Sequence, residues 1–497
     1  KSRNDSSEIH CAIGFLQPDG FICNFSREEM LPYPLEGKRI FENAKFLENN
    51  ACHIPDPCVF IKKNLTLAPK EQKSCTLFIC SALTRDELYK NIAEIREEKL
   101  VTANDVPSPI KASSIEGRIA SLILPQILFK RRDSAENDEA IAQNVLSINN
   151  LWEFAVSGDL PIVVVEIFSQ SDDERILSYI KTHRALKLCG INFDLVFLYE
   201  ERADYDAPVK NMLVAHIRKH HSDSCIGTFG GIHLINLFEK SPEIKRLFLA
   251  VAVHIAPKTM VRMGTPAIKF SPVKIEGVKP LEQGTSGWDL SEEKAEISSL
   301  PQVSWCHVLA NPVFGTLLSS CSIGFTYAIN SRENKLTPWT NDIKSDNRGE
   351  LLLLEVDGKF FDLVLNSKAE FYPDKAVYRG HTEYFASIVS VFVSQKGCCK
   401  KISLELEWLS KESNCRIAFY TEPVLSVSRD NSRLIIFDFY KDSLIAKNMA
   451  RNDIEGYMAL SCSEDCIPIT DRQAFLCGKL DEKLLSSQNN PCAALVC

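Results

Sequence analysis

The sequence has no apolar run approaching the roughly 18 residues of a membrane-spanning helix. Its greasiest stretches, Leu160 to Phe168 and Leu247 to Ile255, are short and read as buried elements. A helical membrane span is not expected. Excess basic charge is also lacking, with 57 Lys and Arg against 65 Asp and Glu and a net charge of −8. Without a basic stripe to displace counterions, nucleic acid is not an expected partner. Lys1 to His10 is polar and holds no apolar signal-peptide core, but there is no initiator Met, so the reading leaves the true start open. No Cys-x-x-Cys pair occurs among the 18 cysteines; Cys398 and Cys399 are adjacent, and Cys462 and Cys466 are four apart. Tetrahedral zinc favours closely spaced thiolate pairs, so no metal is expected, and the cysteines read as mostly reduced and buried in a cytoplasmic protein.

What is present is ordinary globular composition, 45% hydrophobic and 25% charged over 497 residues, enough for about three domains. Val59 to Lys62, the turn Leu67-Ala68-Pro69-Lys70 and Ser74 to Ser81 predict strand, turn and strand. Leu83 to Lys99 predicts a helix capped by Thr84, and Ser114 to Lys130 a second with Ile115, Ile119, Leu122 and Ile123 on one face. Leu160 to Ile167 and Phe193 to Tyr199 suit strands buried on both faces. Helices are expected at Asp172 to Leu188, closed by Gly190, at Pro208 to His220 and at Pro242 to Ile255, which together imply a small parallel α/β unit. Pro257 to Gly284 shows no sustained periodicity. Beyond it, short strands such as Gly315 to Leu318, Leu351 to Val356, Ala386 to Val393 and Ile402 to Trp408 suggest a large sandwich.

Few of the chemical patterns are complete. His216 and His220 share helical zinc spacing, but Ile217 stands where a metalloprotease has its Glu, so a basic helix end is preferred. Gly227-Thr228-Phe229-Gly230-Gly231 has no following Lys-Ser/Thr and reads as a turn. Ser157-Gly158-Asp159 precedes a strand rather than following one, so it is no nucleophile elbow. The densest polar and aromatic cluster is Asn330 to Asp342, with Arg332, Trp339 and Asn341. Amides, Arg and Trp suit a sugar, which needs many hydrogen bonds and an aromatic face. On chemistry alone a structural loop whose side chains satisfy backbone groups is the preferred reading of these residues. Ser428-Arg429-Asp430-Asn431 raises the same pair of readings.

Several of these clusters recur in one order. Asn311-Pro312-Val313-Phe314-Gly315, Gly324-Phe325-Thr326-Tyr327, Asn330 to Asp342, and Ser345-Asp346 through Gly349-Glu350 resemble the super-sandwich domain of the cellobiose-phosphorylase-like enzymes of glycoside hydrolase family 94. The likeness is greatest to the cyclic β-1,2-glucan synthase and 1,2-β-oligoglucan phosphorylase branch. Leu151-Trp152-Glu153 through Val163 and Phe193-Asp194-Leu195-Val196 are similar to the segment preceding that sandwich, and residues 53–98 to the tail of an earlier sandwich. The stretch after Tyr378 departs from the pattern, with His381-Thr382-Glu383-Tyr384 where Gly and an aromatic are usual.

The resemblance implies a mixed β and α/β fold: a large antiparallel β super-sandwich preceded by a small α/β domain and the end of an earlier β-sandwich. The expected boundaries are 1–105, 106–262, a linker at 263–284, and 285–497. In the family the chemistry sits on an (α/α)6 barrel downstream, where a carboxylic acid protonates the glycosidic oxygen while inorganic phosphate attacks the opposite face. No catalytic residue is therefore assigned here, and no cofactor is expected beyond phosphate as the parent enzyme's co-substrate. Expected partners are β-glucan oligosaccharides, the catalytic barrel and a second copy in a homodimer. Carbohydrate-contact candidates are Arg429, Asp430, Asn431, Arg433, Trp339 and Asn341. Two other readings stay open: a free-standing carbohydrate-binding or scaffold protein using exposed Trp288 and Trp339, and an α/β enzyme centred on residues 155–260.

Overall fold

A computed structural model describes residues 9–16, 21–26, 57–97, 110–111, 113–129, 135–168, 172–202, 207–258, 271–281, 286–298, 305–339, 348–429, 434–451, 456–481, 483 and 491–497. The chain divides into two compact units, 1–108 and 109–497. In the first, His10–Phe15 pairs antiparallel with Leu77–Ala82, and Phe21–Ser26 with Pro57–Lys63. The helix Arg85–Arg96 follows, and the Thr84 hydroxyl accepts from Glu87 N at 3.2 Å as its cap. Its buried face is Leu88 and Ile95.

The second unit begins with a four-stranded parallel sheet covered on both sides. Its spatial order is Ile232–Asn236, Asp194–Tyr199, Ile162–Glu166 and Ala252–Ile255. Alternation splits the side chains: Val163, Val165, Leu195 and Phe197 meet the helices Ile115–Phe129, Asp173–Leu188 and Pro208–His220. Ile162, Val164, Val196 and Leu198 meet Ala135–Gln143 and Pro242–Val251. Double cover explains why these strands read as unbroken apolar runs.

One expected helix is corrected. It ends at Val251, and Ala252–Ile255 is instead an edge strand parallel to Ile162–Glu166. Val253 and Ile255 are β-branched and buried, which favours an extended chain, and pairing with Ile162–Glu166 satisfies the backbone there. Leu122, expected on the buried face of its helix, is only half-buried, and the core contacts there are Ile119, Ile123 and Ile127.

The sandwich is built from sheets whose strands pair antiparallel, except that Ile275–Gly277 runs parallel to Lys359–Asp362. A seven-stranded sheet runs Gly287–Asp289, Lys294–Ile297, Lys368–Phe371, Lys375–His381, Phe385–Val393 and Lys400–Trp408, with Lys279–Pro280 beside Lys375–His381. A six-stranded sheet runs Ile467–Asp471, Pro491–Val496, Cys415–Thr421, Glu350–Val356, Lys359–Asp362 and Ile275–Gly277. Three-stranded sheets span Cys306–Ala328 and Ile435–Ser461. The short strands at 275–277 and 279–280 lie inside the stretch 263–284 expected to be a linker, and they pair with sandwich strands. Leu352, Leu354 and Val356 face one core with Tyr378, Phe385 and Val389, while Leu351 and Leu353 face another with Tyr420, Phe475 and Ala494. No described helix is long and apolar enough to cross a membrane.

Two buried histidines shape the acid response of the α/β layer. His254 Nε2 lies 2.9 Å from the Tyr179 hydroxyl and its Nδ1 2.8 Å from Gln126 Oε1; burial pushes its pKa from 6.5 to about 4. His183, between Phe193 O and His221, is pushed to about 4 by burial first and the neighbouring His221 second. Between those values the unfolded chain binds more protons than the fold. Stability is therefore full above about pH 6.5 and is lost as the pH falls toward 4, by up to roughly 3 kcal/mol per histidine. We predict a urea midpoint lower at pH 5 than at pH 7, with a shallower pH dependence in His254→Gln. An unchanged slope in that variant would show that His254 is not held neutral.

Candidate functional site

Alternation along Lys400–Trp408 turns Ile402, Leu404, Leu406 and Trp408 toward the sandwich core, and Lys400 shares their register. Its side chain is only 8% exposed. Lys400 Nζ donates to Glu350 Oε2 at 2.7 Å, to Thr316 Oγ1 at 3.1 Å and to the carbonyl of Ile323. Glu350, 2% exposed, takes hydroxyl hydrogen bonds on its other oxygen from Thr326 and Thr337, each at 2.6 Å. Burial lowers the Lys400 pKa, and the Glu350 carboxylate opposes that shift. Gly324 closes the arrangement at φ +143°, where an added Cβ would lie 2.6 Å from Thr316 Oγ1 and 2.9 Å from Lys400 Nζ. Only glycine fits that approach.

This network forms part of the wall of a pocket of about 340 Å³, lined also by Phe314, Leu336, Phe419, Tyr457 and Leu460. Two segments that the sequence separates widely, at 334–337 and at Leu425, also reach its wall. Lys335 Nζ donates to Val427 O at 2.9 Å, and the backbones of Lys335 and Ser426 exchange hydrogen bonds at 3.0 and 3.1 Å. The polar cluster from Asn330 and the cluster ending in Arg429 are therefore one surface. Much of the first is structural: Asn330 Oδ1 accepts from Arg332 N and Glu333 N, and Asn334 donates to Ala328 O. Trp339 is different, 47% exposed with its ring 4.7 Å from that of Phe325. Arg429 Nε pairs with Glu422 at 2.8 Å, and Arg472 reaches the same oxygen at 3.4 Å. Asn341, Asp430, Asn431 and Arg433 lie outside the described residues.

Residues 295–482 match the family model described as "Glycosyl hydrolase 94, supersandwich domain". The chain carries a glycosyl hydrolase 94 supersandwich domain. It is also similar to the cyclic beta-(1,2)-glucan synthase NdvB of Rhizobium meliloti (strain 1021), 23% identical over 257 residues. That stretch covers 44% of this chain and 9% of that protein. The Lys400–Glu350 network sits wholly within the supersandwich, and Gly324, Thr326, Thr337 and Glu350 belong to the segments that carried the resemblance.

His216 pairs with Asp173 at 3.2 Å and His221 with His183 at 3.1 Å, so the three helix-end histidines do not converge. Gly227 and Gly230 occupy positive φ in a turn, where Gly230 N donates to Asp194. Among the described residues no three potential ligands gather as a metal site. The cysteines are not mostly buried. Of the described ones only Cys225, Cys321 and Cys492 are, because many of the others fall on loops and strand ends. Lys400 went unrecognised as a site residue, although its inward register in an alternating strand was a usable signal.

Removing one partner of such a pair leaves a buried charge, whereas replacing both with apolar residues does not. We predict that Glu350→Ala costs about 3–5 kcal/mol in denaturant unfolding, and that Glu350→Leu with Lys400→Met regains most of it. A single variant as benign as the double would mean that Lys400 has another counterion.

Proposed function

We propose that this chain is the non-catalytic, sugar-contacting portion of a β-glucan-processing glycosyltransferase of the inverting phosphorylase type, acting on β-1,2-linked glucan. The observation that carries this reading is the exposed Trp339 on one of the two joined loops of the supersandwich, the other of which leads to the salt-bridged Arg429. An exposed indole offers the apolar face that a sugar ring stacks on, and a guanidinium donates to its hydroxyls. The non-catalytic part is supported by the carboxylates near that surface. Glu350 is tied to Lys400, and Glu422 to Arg429 and Arg472, so neither is free to protonate a glycosidic oxygen. In this reading an (α/α)6 barrel supplies the acid, inorganic phosphate is the nucleophile, and the working assembly is a homodimer. The fifteen cysteines whose side chains are described are free thiols, as a cytoplasmic location maintains them.

Trp288, 75% exposed, favours a second reading as a free-standing carbohydrate-binding or scaffold protein. The intact mass of the natively expressed polypeptide separates the two. The α/β enzyme reading has less support, because Arg175 fills the strand ends where a ligand would sit.

Calorimetric titration with β-1,2-glucan oligosaccharides, run beside a phosphorolysis assay, tests the proposal. We expect binding without turnover, and about tenfold weaker binding in Trp339→Ala. Turnover by this chain would refute the non-catalytic assignment, and binding indifferent to Trp339 would refute this surface.

A further inference from the structure

One thiol cluster lies outside the surface just described. The strand Met458–Ser461 leads into Cys462, and Cys466 precedes the strand Ile467–Asp471, so the two cysteines flank one connection. Both pack against the core that holds Ala493 and Leu495 of the strand Pro491–Val496. That strand delivers Cys497, whose backbone N and O exchange hydrogen bonds with Ile417 at 2.9 and 2.8 Å. Cys462 Sγ and Cys497 Sγ are 3.5 Å apart, and all three thiols are half-buried and free. The two facing sulfurs need to approach by about 1.5 Å to reach a disulfide length.

We infer that Cys462 and Cys497 form a reversible dithiol–disulfide pair, closed by a small-molecule disulfide of the glutathione class, which latches one wall of the sandwich pocket to its last described strand. Tyr457, Met458, Ala459 and Leu460 line that pocket and lead directly into Cys462, so the bond ties this wall to Pro491–Val496. In the first step the Cys462 thiolate attacks one sulfur of the oxidant, forming a mixed disulfide and releasing one small thiol. Cys497 then gives its proton to solvent and attacks the Cys462 sulfur, expelling the second small thiol. Two protein thiols are oxidised and one disulfide is reduced to two thiols. Burial and the adjacent thiols push the Cys497 pKa up to about 12, so the first attack falls to Cys462, and Cys497 has to lose its proton before it attacks in turn.

The pair joins residues 35 apart in sequence, a loop long enough for the cross-link to restrict the unfolded chain appreciably. An effect of the latch on sugar binding rests on the sugar-contacting reading above; its formation does not.

The test is incubation of the full chain with oxidised glutathione, followed by peptide mapping without reduction and thermal melting. We expect a Cys462–Cys497 cross-linked peptide, lost in Cys462→Ser and in Cys497→Ser but kept in Cys466→Ser, and a melting midpoint raised by about 5 °C. Hydrogen exchange across 457–461 should slow on oxidation. A Cys462–Cys466 or Cys398–Cys399 peptide in its place, or both target thiols remaining alkylatable, would overturn the inference. Loss of glucan binding in both redox states would count against the sugar reading and leave the latch standing.

Discussion

The supersandwich depends on the buried ion pair of Lys400 and Glu350, which alone among its described buried pairs draws on three sheets. Lys400 belongs to the seven-stranded sheet, Glu350 to the six-stranded sheet, and Thr316, Ile323 and Thr326 to the sheet at 306–328, so a single ammonium joins three sheets. Desolvating two charges costs several kcal/mol apiece, and their attraction offsets that only where the remaining lone pairs and protons are satisfied. Here they are. The Thr326 and Thr337 hydroxyls saturate one carboxylate oxygen while the other takes Lys400. The outcome is less a gain in stability than a choice of register. A one-residue slip of Lys400–Trp408 would swing the ammonium to solvent and strand Glu350 alone in the core.

That constraint accounts for the oddest stretch of sequence. Glu350-Leu351-Leu352-Leu353-Leu354-Glu355-Val356 is buried at every position in an antiparallel sheet, where alternation is the usual pattern. It lies between two cores, one shared with the seven-stranded sheet and one with Tyr420, Phe475 and the strand Pro491–Val496. Pro491–Val496 is likewise buried throughout, with Cys492 and Ala494 facing one core and Ala493 and Leu495 the other. These two strands of the six-stranded sheet thus run as an internal layer. Leu434, from the connection above it, is fully buried in the core of the α/β layer, which fixes that layer to the sandwich.

Much of this was legible in the sequence, where local pattern and global fold agree. Double-covered strands such as Ile162–Glu166 read as apolar runs, and Pro208–His220 has Pro in its first turn and a basic end. Ala252–Ile255 was not legible, because a short apolar stretch fits a helix end and a strand equally well until a partner strand is present. The joining of the Asn330 cluster to the Arg429 cluster lies on another scale. Lys335 meets Val427 across 92 positions, a separation no periodicity reports. Lys400 was legible in principle, since an inward charge in an alternating strand predicts a buried partner without naming Glu350.

The α/β layer poses the sharper question of why chemistry should be sought in the sandwich at all. In sequence order its strands lie 3-2-1-4, with the reversal between Ile162–Glu166 and Ala252–Ile255, where open α/β sheets bind ligands at their carboxyl ends. Here that crevice is taken up by the protein's own Arg175. Its guanidinium donates to Glu166 O and to Pro257 O at 3.2 Å, and pairs with Asp172 at 3.1 Å. Phe168 stacks over the same guanidinium and over Lys258. Carbonyls at both strand ends are thereby satisfied internally, and a ligand would have to displace a charged group that is 4% exposed and hydrogen-bonded through both terminal nitrogens. An exposed indole on the sandwich loops asks for no such displacement, which is why recognition is easier to build there.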